Sequence, residues 1–230
     1  MKRSANTEDA TAGPVKPVRV IEHIARDRRD DAVRVLAAAF HAYPVMRFVL
    51  DDAGEEYDRR LHALIRYFCE RRLTQDWPLL GCFAYPSVEK RDGTEAQREL
   101  VAVAGINDPG PFVDNEAHVR AWATLRAAIG PSAIERLEYY EQESDGDAPP
   151  GAHHFLGIIG VRPDQQGKGH ARALIEHIME RSRADTSSAG VWLSTETADN
   201  VPLYEHLGFR LRAERDIGAL RYRVMVWTRP

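Results

Sequence analysis

What this 230-residue sequence lacks narrows its function before any motif is read. It holds two cysteines, Cys69 and Cys82, and no CxxC pair, so neither a disulfide framework nor a cysteine-based zinc site is expected. Both read as small buried apolar groups. No segment approaches the apolar run that spans a bilayer, and the basic tip of MKRSANTEDATAGPVKP is followed by no apolar signal stretch. The expectation is a cytoplasmic protein with no membrane partner. Positive charge is not in excess either: 31 basic against 35 acidic residues give a formal charge of -4. That balance argues against nucleic acid as a partner, because a phosphate backbone is held by clustered Lys and Arg that release counterions. The nine histidines fall in no HExxH or Cys/His spacing, so no metal is expected.

What is present suffices for one core, since 43% of the residues are apolar. Residues 1–17 mix small, polar and Pro residues without periodicity and read as a mobile leader, leaving 18–230 as a single domain. Val18 and Val20 suggest a first strand, and the run through Val33, Leu36 and Phe40 a helix. Leu61, Leu64, Ile65, Phe68 and Cys69 line one face of a helix within 55–73. LLGCFAY and ELVAVAGI read as two strands of an antiparallel pair joined by the polar KRDGTEAQ. A helical stretch from Phe112 to Gln142 is broken at Gly130-Pro131, and ESDGDAPPGA reads as solvated loop. Then come strand HHFLGIIGV, turn RPDQQG, helix KGHARALIEHIMERSR, strand GVWLST, helix DNVPLYEHL and strands near FRL and YRVMVW. The order predicts an α/β fold: a mixed, mostly antiparallel sheet of about seven strands flanked by helices. Trp77, Trp122, Trp192 and Trp227 are expected in the core.

The most informative segment is VRPDQQGKGHARALIEHIM, a strand running through a glycine turn onto an amphipathic helix. Free N–H groups and the positive dipole end at such a helix start suit a pyrophosphate. Gly167 and Gly169 let ligand oxygens approach bare main chain. A Walker A loop is excluded, because Arg162 stands where its first glycine belongs and Gly169 follows Lys168; a Rossmann fingerprint lacks its third glycine.

Gln166-Gly167-Lys168-Gly169-His170-Ala171 resembles the Q/R-x-x-G-x-G/A acetyl-CoA signature of the GNAT acetyltransferase superfamily. Asn200-Val201-Pro202-Leu203-Tyr204-Glu205-His206-Leu207-Gly208-Phe209 is similar to its N-x-P-x-Y-E-x-x-G-F segment, and VLAAAFHAYPVMRFVLDD (35–52) looks like the puromycin N-acetyltransferase branch. The resemblance implies acetyl-CoA as co-substrate, its pantetheine arm along Ile159, Gly160 and Val161, its pyrophosphate on Gln166 through Ala171, and Asn200 bonded to the arm. The activity implied is N-acetylation of a primary amine, expected on a small molecule, with protein or peptide acetylation and a non-catalytic CoA sensor as the rival readings. A homodimer stays open.

Tyr204 is the candidate general acid, since a phenol keeps its proton at neutral pH and can pass it to a thiolate. The base lies among three choices. Relatives carry L-E-T in the fifth strand where this chain has Leu193-Ser194-Thr195, with Glu196 two places beyond Ser194; strand alternation gives Glu196 the face of Ser194. His153 or His154 is the second choice and water the third. The resemblance implies Tyr43 at the acceptor side, and His153 is expected there as well. The acidic pairs Asp51-Asp52 and Glu55-Glu56 are candidates for attracting a cationic amine.

Overall fold

A computed structural model describes residues 19–85 and 98–230. The expected leader and the KRDGTEAQ connection lie outside the described residues. Seven strands form one sheet in the order β1-β2-β3-β4-β5-β7-β6: β1 (Arg19–His23), β2 (Leu79–Ala84), β3 (Glu99–Asn107), β4 (His153–Val161), β5 (Gly190–Thr195), β6 (Arg210–Ile217) and β7 (Leu220–Thr228). Every neighbouring pair is antiparallel except β4 and β5. The mixed sheet and the two central strands read from the sequence are thus present; Val20 lies in β1, and Val18 lies outside the described residues.

Helices cover both faces. On one lie α1 (Arg29–Phe40), α2 (Pro44–Val49), α3 (Tyr57–Leu73), α4 (Glu116–Ile129) and α5 (Pro131–Ser144); on the other lie α6 (His170–Ala184) and α7 (Val201–His206). Pro131 occupies the first turn of α5, where its missing N–H costs nothing, and Gly130 between the helices has φ +85°. That dipeptide therefore divides α4 from α5, as its sequence suggests. The short α2 is a separate helix begun by Pro44, a break that the run 33–50 does not announce by periodicity.

Two hydrophobic cores, one on each sheet face, fix the layers. Leu36, Leu64, Ile65 and Ile129 pack one of them, and Leu174, Ile175, Ile178 and Val191 the other. Cys69 and Cys82 are fully buried thiols, one in each core. Gly160 lets α1 sit close to β4: a Cβ there would lie 2.8 Å from Ala39 Cβ and 3.0 Å from Leu36 Cδ2.

Strand β4 carries two irregularities. Its pairing with β5 comprises only His153–Gly190, His154–Val191 and Phe155–Trp192, so the edge that faces β5 is free of a strand partner from Leu156 onward. Its register with β3 runs Gly105 to Ile158 and then Ile106 to Leu156. Gly157 is skipped, which is a β-bulge.

Candidate functional site

Where β4 and β5 part, a cavity of about 740 Å3 opens, lined by residues of α1, α2, α3, α5, β4, β5 and the start of α7. Tyr43, Ile159, Glu196, Asn200 and Tyr204, five of the residues singled out from the sequence, line it together. A network of hydrogen bonds links most of them. Tyr140 donates its hydroxyl proton to Glu196 Oε1 over 2.6 Å, and the Glu196 N–H donates to the Tyr43 hydroxyl over 3.2 Å. Tyr43 also bonds Thr195 Oγ1 at 3.1 Å, and Asn200 Nδ2 donates to the same oxygen at 3.2 Å.

Burial governs the electrostatics. Glu196 is 9% exposed, and its desolvation holds the carboxyl above its usual range although Tyr140 and Tyr43 donate toward it. Burial, with the charge of Glu196 added, also pushes the phenols of Tyr204 and Tyr43 well above their ordinary values. Tyr204 is 5% exposed, and its hydroxyl has no hydrogen-bond partner among the described residues. A protonated phenol and a buried carboxylate thus open onto one cavity, a pairing able to give one proton and take another.

The glycine turn lies past the end of β4. Gly167 and Gly169 both adopt left-handed conformations, with φ +75° and +80°. A Cβ on Gly167 would meet nothing within 4 Å, so only backbone strain and an incoming ligand bear on that position. The first helical bond of α6 runs from Ala173 N–H to Gly169 O, which leaves the N–H groups of His170, Ala171 and Arg172 outside the helical ladder. Arg19 of β1 donates to the carbonyls of Gly169 and Lys168 at 2.7 and 3.1 Å, holding the turn from behind. Gln166 donates to Val161 O at 3.3 Å, and Lys168 Nζ donates to Gln165 Oε1 at 2.9 Å. Both side chains brace the turn. The His170 side chain faces inward, buried, with Nδ1 3.7 Å from Cys82 Sγ; only its main chain belongs to the turn. Free N–H groups beside open glycines, leading to an unpaired strand edge at Ile159–Val161, fit a pyrophosphate with an extended pantetheine arm.

Several expected placements are different. His153 is not a cavity residue, and its Nδ1 lies 3.3 Å from Gly151 O. His154 is buried on the opposite side of the strand, between Asp108 at 3.2 Å and Asp185 at 3.4 Å. Asp52 and Glu56 do not wait for a cationic ligand: Asp52 pairs with Arg136 at 2.5 Å and Glu56 with Arg59 and Arg60 at 2.6 and 2.8 Å. The stretch ESDGDAPPGA is not merely solvated, since its Asp147 pairs with Arg215; Glu141, just before it, pairs with Arg71 at 3.0 Å, both lining the cavity. Trp192 is not core but cavity wall, stacked on Phe155 with ring centroids 4.2 Å apart.

Tyr140 and Arg72 are cavity residues that sequence reasoning passes over, yet both carry a signal. Ala133, Ile134, Leu137 and Tyr140 follow helical spacing, and Arg72 stands four places after Phe68 on the apolar stripe of α3. Arg19 carries none, because its role depends on a turn 150 positions away.

Among the described residues no cluster of three or more His, Cys, Asp or Glu could hold a metal ion. No described helix is long and apolar enough to cross a membrane.

A mixed seven-stranded sheet with a parted β4–β5 edge, followed by a bare-backbone turn, defines the fold class. In agreement, residues 132–211 match the acetyltransferase (GNAT) domain family. An uncharacterized N-acetyltransferase of Schizosaccharomyces pombe is 38% identical over 55 residues, which cover 24% of this chain and 22% of that one. The aligned part therefore spans less than a quarter of that relative. The fold extends over nearly the whole chain. A Corynebacterium glutamicum structure described as histone acetyltransferase HPA2 and related acetyltransferase is 18% identical, with a TM-score of 0.64 over 92% of this chain and 96% of that one. A mosquito arylalkylamine N-acetyltransferase-like protein is 10% identical, with a TM-score of 0.51 over 92% of this chain and its full length.

Proposed function

We propose that the protein, with residues 18–230 working as one domain, is an acetyl-CoA-dependent N-acetyltransferase acting on a primary amine of a small molecule. The observation that carries this reading is the opening of Tyr204, Glu196 and Asn200 onto one cavity at the point where β4 leaves β5. Acetyl-CoA supplies an acetyl group on a thioester. Gln166 through Ala171 would receive its pyrophosphate, the free edge at Ile159, Gly160 and Val161 its arm, and Asn200 Oδ1 a hydrogen bond from that arm.

Glu196 takes the proton that the acceptor ammonium must lose before its nitrogen can attack. Its burial favours this, because a carboxyl whose pKa is raised by desolvation is, once ionised, the stronger base. Tyr204 holds its proton throughout the working range and shares it with the departing sulfur. A small acceptor is favoured by the cavity walls: Phe40, Tyr43, Phe68, Phe155 and Trp192 crowd it, and its volume lies in the usual range for small-molecule sites. The carboxylate of Glu196, present although the L-E-T triplet is not, weighs against a sensor without turnover.

The test is thiol release from acetyl-CoA over a panel of aminonucleosides, aminoglycosides, polyamines, amino acids and short peptides, with Tyr204→Phe in parallel. Turnover of a small amine that falls about ten-fold or more in Tyr204→Phe is expected. Binding of acetyl-CoA without turnover of any amine would favour the sensor, and turnover of peptides alone would favour a protein acceptor. Absence of acetyl-CoA binding would sink the assignment.

A further inference from the structure

The acceptor wall contains a charge without a partner. Arg72, at the end of α3, is 5% exposed. Its Nη1 donates to Phe68 O at 2.8 Å, its Nε is buried without a partner, and no carboxylate of the described residues lies within ion-pair distance. Burial lowers its pKa to about 10, so it stays charged at any physiological pH. Neighbouring Arg71 differs, since Glu141 neutralises it. Two glycines make room for the guanidinium. A Cβ at Gly105 would lie 2.6 Å from Arg72 Cδ and Nε, and one at the bulged Gly157 would collide with Nη2.

An unpaired buried cation is costly, and an apolar side chain of similar volume would be as stable or more so. Arg72 lines the acceptor cavity on the α1–α3 face of the sheet, whereas the glycine turn opens α6 on the other. Its missing counter-ion is therefore sought on the acceptor and not on acetyl-CoA. The same cavity offers Glu196 to an ammonium group.

We infer that Arg72 recognises a carboxylate on the acceptor, so that the substrate class is a zwitterionic amine such as an amino acid. This rests on the proposed acetyltransferase activity. It is tested with matched pairs, α-amino acids against the amines left by their decarboxylation, in the wild type and in Arg72→Met and Arg72→Lys. The expected result is a preference in kcat/KM of about ten-fold or more for the carboxylate-bearing member. That preference should collapse toward one in Arg72→Met and survive in part in Arg72→Lys, with acetyl-CoA affinity within about two-fold of wild type and the Tm of Arg72→Met equal or higher. Equal use of both members by the wild type, or a preference that persists in Arg72→Met, overturns the inference while leaving the acetyltransferase reading intact. If no pair is turned over, thermal stabilisation by N-acetylphenylalanine against N-acetylphenethylamine decides. Stabilisation by the carboxylate alone, lost in Arg72→Met, supports the inference, and equal effects overturn it. Loss of acetyl-CoA binding by the wild type would instead remove the activity on which it rests.

Discussion

Glu196 lies one position past the end of β5, where strand periodicity no longer determines a side chain's direction. Its carboxylate reaches the cavity with Tyr140 bonded to it, while Tyr43 accepts from its main-chain N–H. As a base it must be ionised, so kcat/KM is expected to fall as pH drops through a pKa above the ordinary carboxyl value. Glu196→Gln should lower kcat/KM on the order of a hundred-fold and abolish that acidic limb. Stability should move the other way. A carboxyl whose pKa is higher folded than unfolded binds more protons when folded, so its burial costs stability progressively as pH rises through that interval. Glu196→Gln is therefore expected to raise the Tm at pH 8 by on the order of 2 °C, with the gain vanishing near pH 4. A pH–rate profile and melting curves of the one variant check both halves. A variant that loses activity and stability together would mark Glu196 as structural.

At the scale of elements, β4 is held by what its glycines leave out. Gly160 admits α1, and the overpacking from a methyl group against Ala39 and Leu36 should make Gly160→Ala less stable by about 1–3 kcal/mol in chemical denaturation. Gly167 stands in open space, so Gly167→Ala bears mainly the strain of φ +75°, about 1 kcal/mol. Its larger effect should be on acetyl-CoA, whose KM is expected to rise about ten-fold, because the methyl group would stand where ligand oxygens must approach. Comparing Tm with KM for the two variants separates packing from binding. A Gly167→Ala enzyme with unchanged KM would remove the turn from the acetyl-CoA site.

For the whole molecule, the local half of the site is legible in the sequence and the assembled half is not. The strands β4 and β5 and the glycine turn are contiguous patterns that periodicity and glycine spacing show, and the signature Gln166–Ala171 and the Asn200–Tyr204 pair are contiguous segments that the family resemblance singles out. The acceptor wall is built from contacts between distant segments: Tyr43 meets Thr195 across 152 positions, and Tyr140 meets Glu196 across 56. No local spacing encodes such partners, so the sequence suggests His153 for the acceptor side and gives no prominence to Tyr140 or Arg72. The bond from Tyr140 ties α5 to the end of β5 and holds the Glu196 pKa down against its burial. Removing it in Tyr140→Phe leaves desolvation less opposed, so the carboxyl should titrate higher and the acidic limb of kcat/KM should move to higher pH. The loss is expected to be on the order of three-fold at pH 6 and slight at pH 9. A loss equal at all pH values would show that Tyr140 shapes the cavity without tuning Glu196, whereas a shifted limb would show that segments 56 positions apart set the base together.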